Sequence, residues 1–467
     1  MTETSELASL PPVARDRAFW GMTSTQFLGA FNDNLFKQLV LLICVDVNQL
    51  TQKSVDYQSY ALAIFALPFV LFSGFAGWLS DRNSKRSIIV LAKIAEIGIM
   101  LLGMLVFFWG PAEKEPLLGL LFVVLGCMSV QSAFFGPSKY GILPEMFRTS
   151  DLPAVNGIVQ MTTFVAIILG GALAGIGKQY WKDELWKVSF ACVLIAVIGT
   201  LTSFLVRKTR IAKPGLKFET SSLVIHPHVR NMFRSDSTLL GVLLVYTLFW
   251  FMGGVLQPSA NALGKDRLGM NDGHTSVLIS GIAAGIAVGC VLAAKMSHHK
   301  IDFRLVTWGA WGMFASLLLT MFLTLSAPIP EIADPEVAMA DESLSSLLFS
   351  VGAREWMFRL SLVLVGVSGG MFVVPLQVYL QTRPPDSLKG RTIGAMNLIT
   401  WIGIIGSAVF YGICSFLLAK LKTSLSLEYV PLGYLYGVLA LIILPVALFY
   451  RPTPAEEELP DPNEKLT

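Results

Sequence analysis

The chain has 467 residues, of which 54% are hydrophobic and 14% charged, with a mean hydropathy of +0.63. Soluble domains carry about 25% charged residues, so there are too few charges here to cover a soluble surface, and the chain reads as an integral membrane protein. Its net charge of +3 is too small to suggest a nucleic-acid partner.

Residues 1–17 are polar and lack the basic n-region and small-residue cleavage site of a secretory signal peptide. The first apolar segment is therefore expected to stay in place as a helix. Twelve apolar segments follow one another, each close to the ~20 residues a bilayer needs. They cover 18–47, 57–80, 87–110, 117–136, 153–177, 187–206, 237–263, 275–296, 303–326, 355–381, 391–419 and 428–450. The Gly- and Thr-rich segment 153–177 is the weakest of them. The expected fold is an all-α membrane protein with twelve transmembrane helices in two six-helix halves, 18–206 and 237–450. A basic linker, 207–236, joins them, and a Pro- and Glu-rich tail, 451–467, has the composition of a disordered segment.

Alternate connections, beginning with the N-terminus, collect the basic residues: Arg15 and Arg17, then Arg82, Lys85 and Arg86, then Arg148, and so on to Arg383, Lys389 and Arg391. The long connection 327–354 is acidic instead. By the positive-inside rule both termini are cytoplasmic. Five cysteines are scattered through the apolar segments without metal-ligand spacing, and they read as small packing residues. No metal or cofactor is expected.

The first apolar segment carries Asp33 and Lys37 near its middle. A charge at that depth in a membrane helix is costly, and its default reading is functional. Spacing of four puts the two on one helical face, close enough to pair, with Gln26 on the same face two turns earlier. A plain structural ion pair between helices is the alternative. The two halves also show a weak internal likeness. Gly136-Pro137 answers Val374-Pro375, and Gly157 with Gln160 answers Gly394 with Asn397, at nearly equal offsets, as in carriers built from duplicated halves.

The loop after the second segment reads Gly77-Trp-Leu-Ser-Asp81-Arg82-Asn-Ser-Lys85-Arg86. It resembles the signature loop of the major facilitator superfamily, G-x-x-x-D-[RK]-x-G-[RK]-[RK], with Ser84 at the second glycine position. Such a loop serves as a conformational latch: Gly77 permits close helix approach, Asp81 accepts hydrogen bonds, and Arg82, Lys85 and Arg86 meet lipid phosphates. The matching loop of the second half has Ala293 in place of the acid. Phe27 to Lys37, with its Phe-Asn-Asp-Asn core, and Gly136-Pro137-Ser-Lys139-Tyr140-Gly141-Ile-Leu-Pro-Glu145 resemble the bacterial lysophospholipid transporter family within that superfamily. Asn156-Gly157, Gly170-Gly171 and Gly369-Gly370 agree in order and place.

That resemblance implies a carrier, not an enzyme, in the bacterial inner membrane. It would move lysophospholipids by alternating access to the cytoplasmic leaflet, where an acyltransferase and acyl-carrier-protein synthetase system on another chain reacylates them. It would work as a monomer among membrane lipids. In the superfamily's architecture helices 1, 4, 7 and 10 line the cavity. Here these offer Gln26, Asp33, Asn34 and Lys37, then Gln131, Ser132 and Lys139, then Gln257 and Asn261, then Gln377. Gln160 and Asn397 add polar groups from helices 5 and 11, as substrate contacts or as packing glue. Lys139 and Glu145 form either a gate pair or a solvated turn, and Lys93 with Glu96 in helix 3 reads as structural. Phe31, Phe134, Phe249, Phe251, Met252 and Phe372 are placed to meet an acyl tail, or simply to pack.

Two other functions compete. A proton-coupled exporter of drugs or small solutes would use Asp33 as its protonation site. A membrane acyltransferase would need an H-x-x-x-x-D pair, and none of the five histidines has an aspartate five residues on. The chain also lacks a G-x-x-x-x-G-K-[ST] phosphate loop.

Overall fold

The computed structural model describes residues 11–51, 56–110, 115–148, 151–209, 215, 227–296, 302–326, 352–383, 389–427 and 430–452. Most of the linker, the acidic connection and nearly all of the tail lie outside these residues. Twelve long helices run through the described chain. The first half holds α1 (Arg17–Thr51), α2 (Tyr57–Arg82), α3 (Lys85–Phe108), α4 (Glu115–Gly141), α5 (Leu152–Tyr180) and α6 (Trp186–Ser203). The second holds α7 (Ser237–Ala262), α8 (Asp272–Met296), α9 (Arg304–Ser326), α10 (Ala353–Thr382), α11 (Lys389–Ser424) and α12 (Gly433–Phe449). Eleven are long and apolar enough to cross a membrane, and the last is a shorter apolar helix of 17 residues.

Aspartates start several helices. Asp16 accepts the Ala18 N–H at 2.8 Å, Asp56 that of Gln58 at 2.9 Å, and Asp236 that of Leu239 at 2.9 Å. Each satisfies an amide that the helix leaves without an internal acceptor. Prolines sit inside α2, α4, α7, α10 and α12. Membrane helices tolerate them because neighbouring groups satisfy the carbonyl one turn earlier that each proline leaves without a donor; beside the proline of α7, Gln58 of α2 donates to the Pro258 carbonyl itself at 3.2 Å.

In the first half α1 packs on α5 and α6, α2 on α4, and α3 on α4 and α6. In the second, α10 packs on α8 and α9, α9 on α12, and α7 on α11. The halves meet through α5 against α8 and α2 against α11. Glycine sets the closest approaches. A Cβ on Gly285 of α8 would overlap the Val363 carbonyl of α10, and one on Gly170 would come within 2.6 Å of the Phe31 carbonyl oxygen of α1. Small residues let membrane helices touch backbone to backbone. The same glycines that weaken α5 as a hydropathy signal thus dock it against α1 and α8.

Sequence reading and structure differ at the ends. α1 and α11 run on to Thr51 and Ser424, past the apolar stretches. A short amphipathic helix, Pro227–Ser235, precedes α7 and buries Val229 and Phe233 in the core of the second half. A π-helical turn, Leu263–Arg267, follows α7.

Candidate functional site

α1 rises about 1.5 Å per residue, so Asp33 lies about 24 Å from its start, near the middle of its 35 residues. The Asp33 carboxylate accepts a hydrogen bond from the Ser132 hydroxyl of α4 at 2.6 Å, and the Gln131 amide oxygen lies 3.2 Å from that hydroxyl. The Lys37 ammonium lies 5.1 Å from the centre of the Phe65 ring of α2, a cation–π contact. Phe65 in turn packs on Trp401 of α11, which stacks on Phe69 with ring centres 3.8 Å apart. Asp33 and Lys37 are both half-buried, and they do not form the ion pair that their spacing suggests. A hydroxyl holds the acid and an aromatic face holds the base, so each charge keeps bonding capacity for a third party.

The other residues expected to bind substrate are spread more widely. Gln26 is buried and donates to Thr163 of α5, so it joins two helices. Asn34 donates to the Ala30 carbonyl of its own helix at 2.7 Å. Lys139 is buried near the end of α4. Gln257 donates to Gln38 of α1 at 3.1 Å. Gln377 is half-buried on α10 and Asn397 is exposed on α11. The side chain of Gln160 lies outside the described residues. Of the residues proposed for the aliphatic tail, Phe31, Met252 and Phe372 are core, Phe134 packs on Phe72 and Phe75, and Phe251 packs on Phe410.

The loop residues read as a latch make contacts within the first half. Lys85 pairs with Glu145 at 2.5 Å, Arg86 donates to the Phe204 carbonyl at 2.8 Å, and Arg82 lies over the Trp78 ring. A Cβ on Gly77 would meet open space, so this glycine is not used for close approach in this conformation. The side chain of Asp81 lies outside the described residues. Glu145, which the sequence sets beside Lys139, pairs with Lys85 of this loop. Lys93 and Glu96 form an ion pair inside the first half, with 1% of each side chain exposed.

The sequence offers Asn261 as a lining residue, but the set of polar groups that joins the halves is not legible in it. These gather at the end where α1 and α5 finish. Asn261 of α7 accepts from Gln38 and donates to Gln58 of α2, each at 2.8 Å. Tyr411 of α11 donates to Asp56. Beside them, Lys178 of α5 and Lys265 after α7 each bond both Asp46 of α1 and Asp272 of α8. The available signal was charge in connections that the positive-inside rule leaves sparse: Lys178 and Lys265 are basic residues at the ends of apolar runs, with Asp46 and Asp272 at equivalent depth.

The model of the major facilitator superfamily matches residues 22–408. Lysophospholipid transporter LplT of Citrobacter koseri is 26% identical over 413 residues, covering 85% of this chain and 90% of that protein. The protein of the same name from Escherichia coli O157:H7 is 28% identical over 404 residues, covering 83% and 88%. Among solved structures, a nucleoside transporter aligns with a TM-score of 0.61 at 11% identity over 91% of this chain and 98% of its own. A bacterial homologue of the human lysosomal transporter Spinster, inward-facing and unoccupied, aligns with a TM-score of 0.60 at 14% identity over 94% and 100%. Twelve helices in two halves, joined through α2–α11 and α5–α8, and a family match across most of the chain place it in one group: the chain belongs to the major facilitator superfamily.

Proposed function

We propose that this chain is a lysophospholipid carrier of the bacterial inner membrane, working by alternating access with both termini cytoplasmic. Its product would reach the cytoplasmic leaflet, where an acyltransferase system on another chain reacylates it. The observation that carries the reading is the open pair in α1. Asp33 and Lys37 sit one turn apart at mid-membrane depth, each held by a neutral partner. A zwitterionic head group brings an ammonium and a phosphate separated by a short linker, and it can engage the acid and the base together. The aromatic cluster of Phe65, Phe69 and Trp401 lies beside Lys37, where the glycerol and first acyl carbons would follow the phosphate. The named relatives support the same substrate class. With the termini cytoplasmic, the polar contacts that join the halves would lie at the outer end, and the head group would pass between Asp33 and Lys37 and the cytoplasmic end.

The test is flipping of labelled lysophosphatidylethanolamine in reconstituted vesicles, with and without an ion gradient. Wild-type protein is expected to translocate the lipid, and Asp33→Ala to lose translocation while remaining folded and inserted. Wild-type rates in Asp33→Ala would overturn the role of the pair. Absence of flipping by the wild type, together with proton-linked uptake of a hydrophilic solute, would replace the lipid carrier by an exporter.

A further inference from the structure

Beside the open pair, about a quarter-turn round α1, lies a second set of charges that the transport reading does not use. Asn32, next to Asp33, is fully buried. Its amide donates to Glu96 of α3 at 2.9 Å and to the Cys192 carbonyl of α6 at 3.2 Å. The other Glu96 oxygen is taken by Lys93. Room for that ammonium comes from glycines on two further helices. A Cβ on Gly29 of α1 would lie 3.2 Å from Lys93 Nζ, and one on Gly199 of α6 would lie 2.8 Å from Lys93 Cε. Thr200 of α6 also donates to the Lys93 carbonyl at 3.0 Å. Three helices are thus pinned at one level through one ion pair.

A buried ion pair is weak evidence for stability, because apolar residues of similar volume often pack as well or better. It does supply direction. Lys93 fixes one carboxylate oxygen, so the other is aimed at Asn32. Successive residues on a helix are about 100° apart, so fixing Asn32 also fixes where Asp33 points. Building on the carrier reading above, we infer that Lys93 and Glu96 are positioning residues: through Asn32 they set the rotation of α1 that turns Asp33 and Lys37 into the cavity.

Two double variants test this. Lys93→Met with Glu96→Leu removes the pair and the acceptor for Asn32. Lys93→Met with Glu96→Gln removes the charges but keeps the acceptor. Both are expected to melt in detergent close to the wild type. The leucine form should raise the KM for lysophosphatidylethanolamine flipping about tenfold with a smaller change in maximal rate, and the glutamine form should recover most of it. A second readout needs no substrate. In a chain whose five cysteines are replaced and which carries Lys37→Cys, labelling by a water-soluble maleimide should slow several-fold with the leucine form and recover with the glutamine form. If the leucine form does not fold, Asn32→Ala, which leaves the ion pair intact, must show the same two shifts. The inference is overturned by wild-type KM and labelling in the leucine form or in Asn32→Ala. It is overturned equally by a folded glutamine form that recovers neither. If the wild type flips no lysophospholipid, the transport reading fails, and the labelling series still decides whether the pair sets the rotation of α1.

Discussion

Asp33 and Lys37 are a helical turn apart, and each takes a neutral partner in preference to the other. Ser132 gives the carboxylate one hydrogen bond at 2.6 Å, and Phe65 gives the ammonium its ring face. Neither contact neutralises the charge, so each charge is free to select its own part of a head group. Asp33→Asn keeps an acceptor for Ser132 and removes only the charge. It is expected to slow translocation of lysophosphatidylethanolamine, whose head carries an amine, much more than that of lysophosphatidylglycerol, whose head does not. Lys37→Gln should slow both alike, because both carry the phosphate. A charge-assisted hydrogen bond is worth about 1.5–3 kcal/mol, and about 1.4 kcal/mol is tenfold, so the selective loss is about ten- to a hundredfold. Competition between the two labelled lipids in one vesicle preparation reads the ratio directly, and an equal loss of both with Asp33→Asn would remove the amine from the acid.

Glycine contacts separate what holds a half together from what joins the halves. Gly285 faces the Val363 carbonyl within the second half, whereas Gly175 of α5 faces the Asp272 carbonyl and Ser276 of α8, across the halves. Gly285→Val should therefore lower folded yield and melting temperature, since its clash is present in every conformation. Gly175→Ala should leave the melting temperature of each half little changed and lower transport severalfold, since its clash exists only when α5 and α8 close at that end. Equal losses of melting temperature in the two variants would contradict this division. The existence of the twelve helices was legible in the sequence because each is a long apolar run. Helix ends were less so: α1 passes Val47 to reach Thr51, and its last turn is tied by Asn48 to Asp56, the residue that caps α2, at 2.8 Å, a contact that hydropathy does not register. Asp33 was legible as a charge at depth, and its partner Ser132 was only one small hydroxyl among many. Gln26 and Gln257 stand out in the sequence as polar groups in apolar helices, but the partners to which their amide groups donate, Thr163 and Gln38, do not, because packing between helices decides them.

At the scale of the whole molecule, the four charges at the joined end are shared in a particular way. Each half contributes one lysine and one aspartate: Asp46 and Lys178 come from the first, Lys265 and Asp272 from the second. Each lysine bonds one aspartate of its own half and one of the other. When the halves part, each keeps a complete ion pair, so opening does not strand a charge in a poorly hydrated place, which would cost several kcal/mol. Two double variants that each remove one lysine and one aspartate, and so leave the net charge unchanged, should then act in opposite directions. Asp46→Met with Lys178→Met deletes the pair of the first half; the remaining pair lies within the second half, nothing ionic joins the halves, and opening is favoured. Lys178→Met with Asp272→Met leaves Lys265 bonded to Asp46 across the halves. Neither then has a partner at home, and opening is penalised. With Asn261→Cys as a reporter in a chain lacking its five cysteines, labelling from outside by a membrane-impermeant maleimide should be about tenfold faster in the first double and about tenfold slower in the second, relative to the reporter alone. That corresponds to about 1.4 kcal/mol of population shift each way. Shifts of the same sign in both doubles would mean that the cluster acts only through the number of its ion pairs, and that the sharing between halves does not govern the opening.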